Sequence, residues 1–183
     1  NSICLKYYLN DSWSSSTIEI PGTGHVRILK CVVDGDKVYV LFSQKINSIS
    51  EWHLKLAVYI AGTWHNEHVV TFDEDTTHWC FDLRLDTSNR PCIAYWDRTD
   101  SALMFSRRVS MNNFVTEIVD DQLFGCSWLK LGFLQTDIPV VGYVTSQARA
   151  SEIVKVAHTL GANWGIETIY TADNIRTIDM ALN

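Results

Sequence analysis

Four charged residues recur at one equivalent place along the chain: Lys30, Asp82, Lys130 and Asp179, separated by 52, 48 and 49 residues. Each sits within a short apolar stretch, so a shared interior would hydrate them poorly and the alternating signs would let them neutralise one another. Two carboxylates across such a space, Asp82 and Asp179, are also what a glycoside-cleaving enzyme needs on either side of the scissile bond. Lysines beside them would hold both carboxylates ionised, which works against a general acid. A second set gathers aromatic and polar types: Trp52, His53, His78, Trp79, Trp96, Asp97 and Arg98. Indole faces next to hydrogen-bonding groups suit sugar or peptide recognition, and the same residues equally suit the edge of a core.

Other chemistry is thinly represented. His65 and His68 stand three apart in a predicted strand, which turns them to opposite faces and keeps them from sharing an ion. Asp73, Glu74 and Asp75 lack the spacing of a calcium loop. Neither GxSxG nor a Gly-rich phosphate loop occurs, and the sequence calls for no metal and no cofactor. The cysteines, Cys4, Cys31, Cys80, Cys92 and Cys126, show no CxxC spacing and mostly lie in or beside apolar strand patterns. Buried free thiols, not a disulfide scaffold, are expected. Asn10-Asp11-Ser12 reads as a chance glycosylation sequon.

The elements that position these residues are short strands. From Trp79 to Phe114, WCFDLRLD, PCIAYWD and LMFSRRV read as strands joined by TSNR and RTDSA, and FVTEIVD follows as a fourth. The same order recurs about every 50 residues, marked by Trp13, Trp64, Phe114 and Trp164 at spacings of 51, 50 and 50. Three residues after the last three of these come Glu67, Glu117 and Glu167, and Ser16 holds that place in the first copy. The aromatic positions are predicted to be equivalent across the copies.

KVYVLFS (37–43), PCIAYWD (91–97) and PVVGYVT (139–145) do not alternate cleanly, so both sheet faces should be covered. Inner strands are predicted at 28–34, 81–86, 129–134 and 178–183. Together these predict an all-β chain, a β-propeller of four-stranded antiparallel blades with about four repeats. The segments are an outer half-blade at 1–24, blades at 25–70, 78–120 and 127–170, and an inner strand at 175–183. One strand is wanting, so a larger propeller or a second chain is expected to complete the ring, with homo-oligomerisation through the incomplete blade.

Net charge of −6 with scattered Lys and Arg argues against nucleic acid as partner. No apolar run reaches the length of a membrane span. The start at Asn1, without Met or a leader pattern, reads as a processed or trimmed product and leaves the compartment open.

PCIAYWD, then a strand such as LKLAVYIAGTW, then glutamate three residues after the Trp, resembles the blade repeat of bacterial sialidase-like, BNR-like propellers. The resemblance covers essentially the whole chain and implies a fold. Where that family's Asp-box carries Ser and Asp before Gly and Trp, this chain has Ala157 and Thr159 before Gly161 and Trp164, and Ala57 and Tyr59 before Trp64. The defining Asp is missing, so the resemblance does not imply sialidase activity. The expected function is therefore a non-catalytic scaffold binding carbohydrate or protein through its loops, with a glycoside-processing enzyme built on Asp82 and Asp179 as the alternative.

Overall fold

A computed structural model describes residues 2–9, 12–19, 24–46, 51–72, 80–135, 137–147, 151–173, 175 and 178–181. Among them the chain is all β, four antiparallel sheets with no helix. The first sheet is the hairpin β1 (Ser2–Leu9) and β2 (Ser12–Glu19). The second holds β3 (Val26–Asp34), β4 (Lys37–Lys45), β5 (Trp52–Ile60) and β6 (Thr63–Phe72). The third holds β7 (Phe81–Leu85), β8 (Pro91–Asp97), β9 (Ala102–Ser110) and β10 (Asn113–Asp120). The fourth holds β11 (Cys126–Leu134), β12 (Ile138–Gln147), β13 (Ser151–Leu160) and β14 (Asn163–Ala172).

Every sheet runs in chain order, because tight turns allow each strand to pair only with its neighbour. The β5–β6 turn shows how: Ala61 and Gly62 take φ of 50° and 83°, the left-handed pair that matches the twist of a two-residue hairpin. Proline opens β8 at Pro91, where a lost ladder donor is tolerated.

Three apolar layers hold the sheets face to face. Ile3 and Ile18 of the first sheet pack on Val40, Phe42 and Ala57 of the second. Leu41, Leu54 and Leu56 on the opposite side of that sheet meet Phe81, Leu83 and Ile93 of the third. Ala94, Leu103 and Phe105 of the third then meet Leu129, Leu131 and Tyr143 of the fourth. The second and third sheets are therefore buried on both faces, which is why β4 and β8 lack polar alternation and why β8 is buried throughout. Each fully buried Leu contributes roughly 2 kcal/mol, so these layers dominate the stability.

Trp13, Trp64, Phe114 and Trp164 each stand second in the outer strand of their sheet, so the repeat register holds. In the first three sheets the position three residues later faces the next sheet and accepts a hydrogen bond from it. Ser16 Oγ accepts from Trp64 Nε1 at 2.7 Å, and Glu117 accepts from Trp164 Nε1 at 3.1 Å. Phe114 has no such N–H, and there Glu67 takes the Arg108 guanidinium through both oxygens, at 2.8 and 2.7 Å.

The repeated charges are also ordered by sheet. Lys30 and Lys130 reach forward to Asp82 and Asp179, at 3.9 and 3.4 Å. Asp82 reaches the fourth sheet through the Leu131 amide, which donates to it at 3.0 Å, and it is not ion-paired with Lys130. The four repeated charges thus form two separate pairs joined by a backbone contact, with Arg84 as a further partner of Asp82 at 3.9 Å. Residues 178–181 form no strand, contrary to expectation, and 182–183 lie outside the described residues. Residues 178–181 lie against the fourth sheet: Asp179 is 3.4 Å from Lys130, and a Cβ on Gly142 would lie 3.8 Å from Ile178 and Met180.

Removing the Asp82 carboxylate should leave a buried N–H without an acceptor, so Asp82→Ala should cost about 1–3 kcal/mol. Lys30→Met should cost under about 1 kcal/mol, because its partly exposed ammonium is screened by water. Urea melts of the two variants check this. Equal losses would show that the charge, not the amide contact, carries the tether, and Lys130→Met should not rescue Asp82→Ala.

Candidate functional site

A cleft of about 450 Å³ opens between the third and fourth sheets. Its lining comes from Trp96 and Arg98 of the third sheet, from Phe124 and Gly125 of the linker with Cys126 and Ser127 at the start of β11, and from Ser146 and Glu152 of the fourth sheet. Each wall is fixed by its own local chemistry. Asp97 accepts the backbone N–H groups of Thr99 and Asp100, at 2.9 and 3.4 Å, and this Asx turn projects Arg98 outward. Burial raises the Asp97 pKa, while these amide hydrogen bonds act against the rise.

The linker is held from both ends. Asp120 accepts from Gln122 N at 2.9 Å with one oxygen, and from Tyr143 Oη at 2.5 Å and Lys155 Nζ at 2.9 Å with the other. Burial pushes the Asp120 carboxyl up, but the Tyr143 hydroxyl and Lys155 ammonium outweigh it and hold the pKa below the usual value. Tyr143 is driven upward by burial and by donating to that carboxylate. Farther along, Leu123 is buried and Cys126 O accepts from the Cys80 thiol at 2.5 Å. Between these anchors Phe124 is left 74% exposed at the cleft mouth.

At the inner wall, Trp96 Nε1 is buried with no hydrogen-bond partner among the described residues, and Thr145 Oγ1 shares that condition. An unmet buried donor is rare because it forfeits about 1–3 kcal/mol, and this one lies beneath the surface of a side chain that lines the cleft.

The structure divides the aromatic set predicted from sequence. Trp96 and Arg98 come together in the cleft, and Asp97 shapes it without lining it. Trp52 is only 1% exposed, packed in the layer between the second and third sheets beneath Arg27, and it presents no platform. His53 bonds Glu51 at 3.3 Å and lies 5.2 Å from the His68 ring on the second sheet, within the same strand pair. Both rings are on one face there, because the β5–β6 register shifts between Leu54 and Lys55. Burial lowers the His68 pKa, with the neighbouring His53 and Lys55 charges adding to the effect. His78 and Trp79 lie outside the described residues.

Phe124, Ser146 and Glu152 fall in the loops 119–125 and 145–152, which the sequence groups with 43–53, 71–79 and 96–102 on one face. None of the three is singled out there, and Ser127 lies outside those loops. Phe124 did carry a signal, as a large aromatic between acidic and glycine residues in a linker where no strand period demands it. Three of the five cysteines, Cys80, Cys92 and Cys126, are buried free thiols, whereas Cys4 and Cys31 are exposed. Burial raises the Cys92 pKa to about 11, so this thiol stays protonated and unreactive. Among the described residues there is no group of three or more metal-ligating side chains, and no helix long and apolar enough to cross a membrane.

Comparison with protein-family models found no match, and comparisons with curated proteins and with solved structures found none either.

Proposed function

We propose that this protein is a propeller-type binding scaffold that takes a carbohydrate into the cleft between its third and fourth sheets. The observation that carries this reading is the exposed Phe124 ring set beside Arg98, Glu152 and two serine hydroxyls around a space of saccharide size. An aromatic face stacks on the C–H face of a sugar, while charged and hydroxyl groups take its oxygens. The Trp96 side chain adds apolar wall beside them.

The propeller reading rests on the order of the sheets. First strands β3, β7 and β11 lie against one another in sequence, outer strands β10 and β14 also touch, and residues 178–181 lie against the fourth sheet. The repeat motifs that resemble sialidase-like, BNR-like propellers agree with that order and add no activity. The carboxylates of the enzyme alternative are used as tethers. Asp179 is held below the ordinary carboxylate range by the Met180 amide and Lys130, which suits a charge partner and not a proton donor.

A glycan array should show saccharide binding that weakens roughly tenfold or more, about 1.4 kcal/mol, in Phe124→Ala and in Arg98→Ala. His53→Ala, on the second sheet, should bind as the parent does. Cleavage of chromogenic glycosides that depends on Asp82 and Asp179 would replace this reading with the enzyme, and peptide binding without glycan binding would replace the ligand class.

A further inference from the structure

We propose that this chain associates head to tail with second copies of itself, the open face of the first sheet in one molecule seating on the open face of the fourth sheet in the next, with Glu167 as the receiving group. All three internal junctions have a direction. The face of each sheet that carries Ser16, Glu67 or Glu117 meets the face of the following sheet, and the donor comes from that following sheet as Trp64, Arg108 or Trp164. Glu167 is the next member of the acceptor series. It pairs in register with Val156 on β13, whereas Ile166 pairs with Ala157 of the buried layer, so Glu167 lies on the side turned away from the third sheet. Tyr170, opposite Val154, shares that side and is 61% exposed.

The first sheet offers the matching half. Trp13 opens the aromatic series and is 73% exposed, beside a concavity of about 470 Å³ lined also by Lys6, Ser14 and Ser15. Lys6 stands in the repeat where Lys155 does, so Cys4 corresponds to Ile153. Ile153 is buried against the preceding sheet, and Cys4 is exposed. The first sheet thus shows a face that the other sheets cover, and the fourth shows the face that does the covering.

The two open faces differ in chemistry, so neither is complementary to its like and a two-fold dimer is not the result. A head-to-tail contact is. Residues 178–181 already occupy the Lys130 and Gly142 part of the fourth sheet. What stays open is the β13–β14 half, and a two-stranded hairpin such as β1–β2 matches it in width. The second copy's hairpin would then lie on the fourth sheet beside residues 178–181.

Sedimentation velocity of the whole chain over a concentration series tests this, with Glu167→Arg and Trp13→Arg as the blocked variants. The parent should sediment faster as concentration rises, and each variant should stay at the monomer value where the parent associates. An equimolar mixture of the two variants should yield dimers and nothing larger, because one intact junction remains between them. Both substitutions fall on exposed positions, and matching circular dichroism spectra establish that the variants are folded. A parent that is monomeric throughout, variants that associate as the parent does, or a mixture without dimers would each overturn the proposal.

Discussion

Glu67→Ala is expected to lose about 3–5 kcal/mol of folding stability, the usual cost of leaving one partner of a buried pair behind. Glu67 is 1% exposed and receives three hydrogen bonds, two from Arg108 and one from Asn112 N at 3.1 Å. Its removal leaves the Arg108 guanidinium, largely buried, with no counter-charge at the junction of the second and third sheets. For a chain of this size the melting temperature should fall on the order of 10 °C. Adding Arg108→Met should recover much of that loss, since the stranded charge and not the missing bond accounts for most of it. Glu117→Ala offers the control: an exposed carboxylate with a single indole N–H should cost under about 1 kcal/mol. Thermal melts of the three variants decide the matter, and a Glu67→Ala protein that melts with the parent would refute the junction.

The second large effect is expected at Asp120, which ties the third sheet to the fourth and anchors the linker that carries Phe124. Asp120→Ala strands the Lys155 ammonium and the Tyr143 hydroxyl together, with an expected loss of about 3 kcal/mol. The effect depends on pH in a definite direction. The folded-state pKa of Asp120 is lowered, so near the ordinary carboxylate value of about 4 the unfolded chain binds more protons than the folded one. The stabilisation is complete above that value and is lost as pH falls through the lower folded-state value. Asp120→Asn should therefore be less stable than the parent at neutral pH and approach it in acid. Urea midpoints measured from pH 7 down to pH 3 check this, and parallel curves would show that the carboxylate titrates alike in both states.

The strands were legible because the repeat supplied the ruler. PCIAYWD was bounded at 91–97 from sequence, and β8 has those bounds, since proline begins it and the Asp97 turn ends it. The 178–183 strand failed for want of a neighbour. Its apolar pattern matches the other first strands, but a strand exists only with a ladder partner, and among the described residues none pairs with 178–181 as β4, β8 and β12 pair with β3, β7 and β11. Sequence could place Trp52 and Trp96 at strand ends without choosing between core and surface, because sheets covered on both faces bury either parity. Trp52 fell under Arg27 and the next sheet, and Trp96 fell at the rim of a cleft.

The cleft itself was only partly legible. Arg98 could be read from the Asp-Arg-Thr-Asp turn, whereas Glu152 and Phe124 meet it only through the stacking of the third sheet on the fourth. That stacking is set by contacts such as Asp120 with Lys155, 35 residues apart, which a local pattern does not reveal. The same holds for Glu67. Its recurrence three residues after an aromatic was visible, but the substitution of Arg108 for the N–H that Phe114 lacks is a compensation between two strands.

The most direct test of the carbohydrate cleft is the Trp96 indole N–H resonance in a proton–nitrogen correlation spectrum, assigned by its disappearance in Trp96→Phe. On titration with a saccharide selected by the array, this resonance should move, because the Trp96 side chain lines the cleft, while the Trp52 resonance in the core stays still. A saccharide that binds and leaves the Trp96 resonance in place would contradict the assignment of the cleft as the binding site.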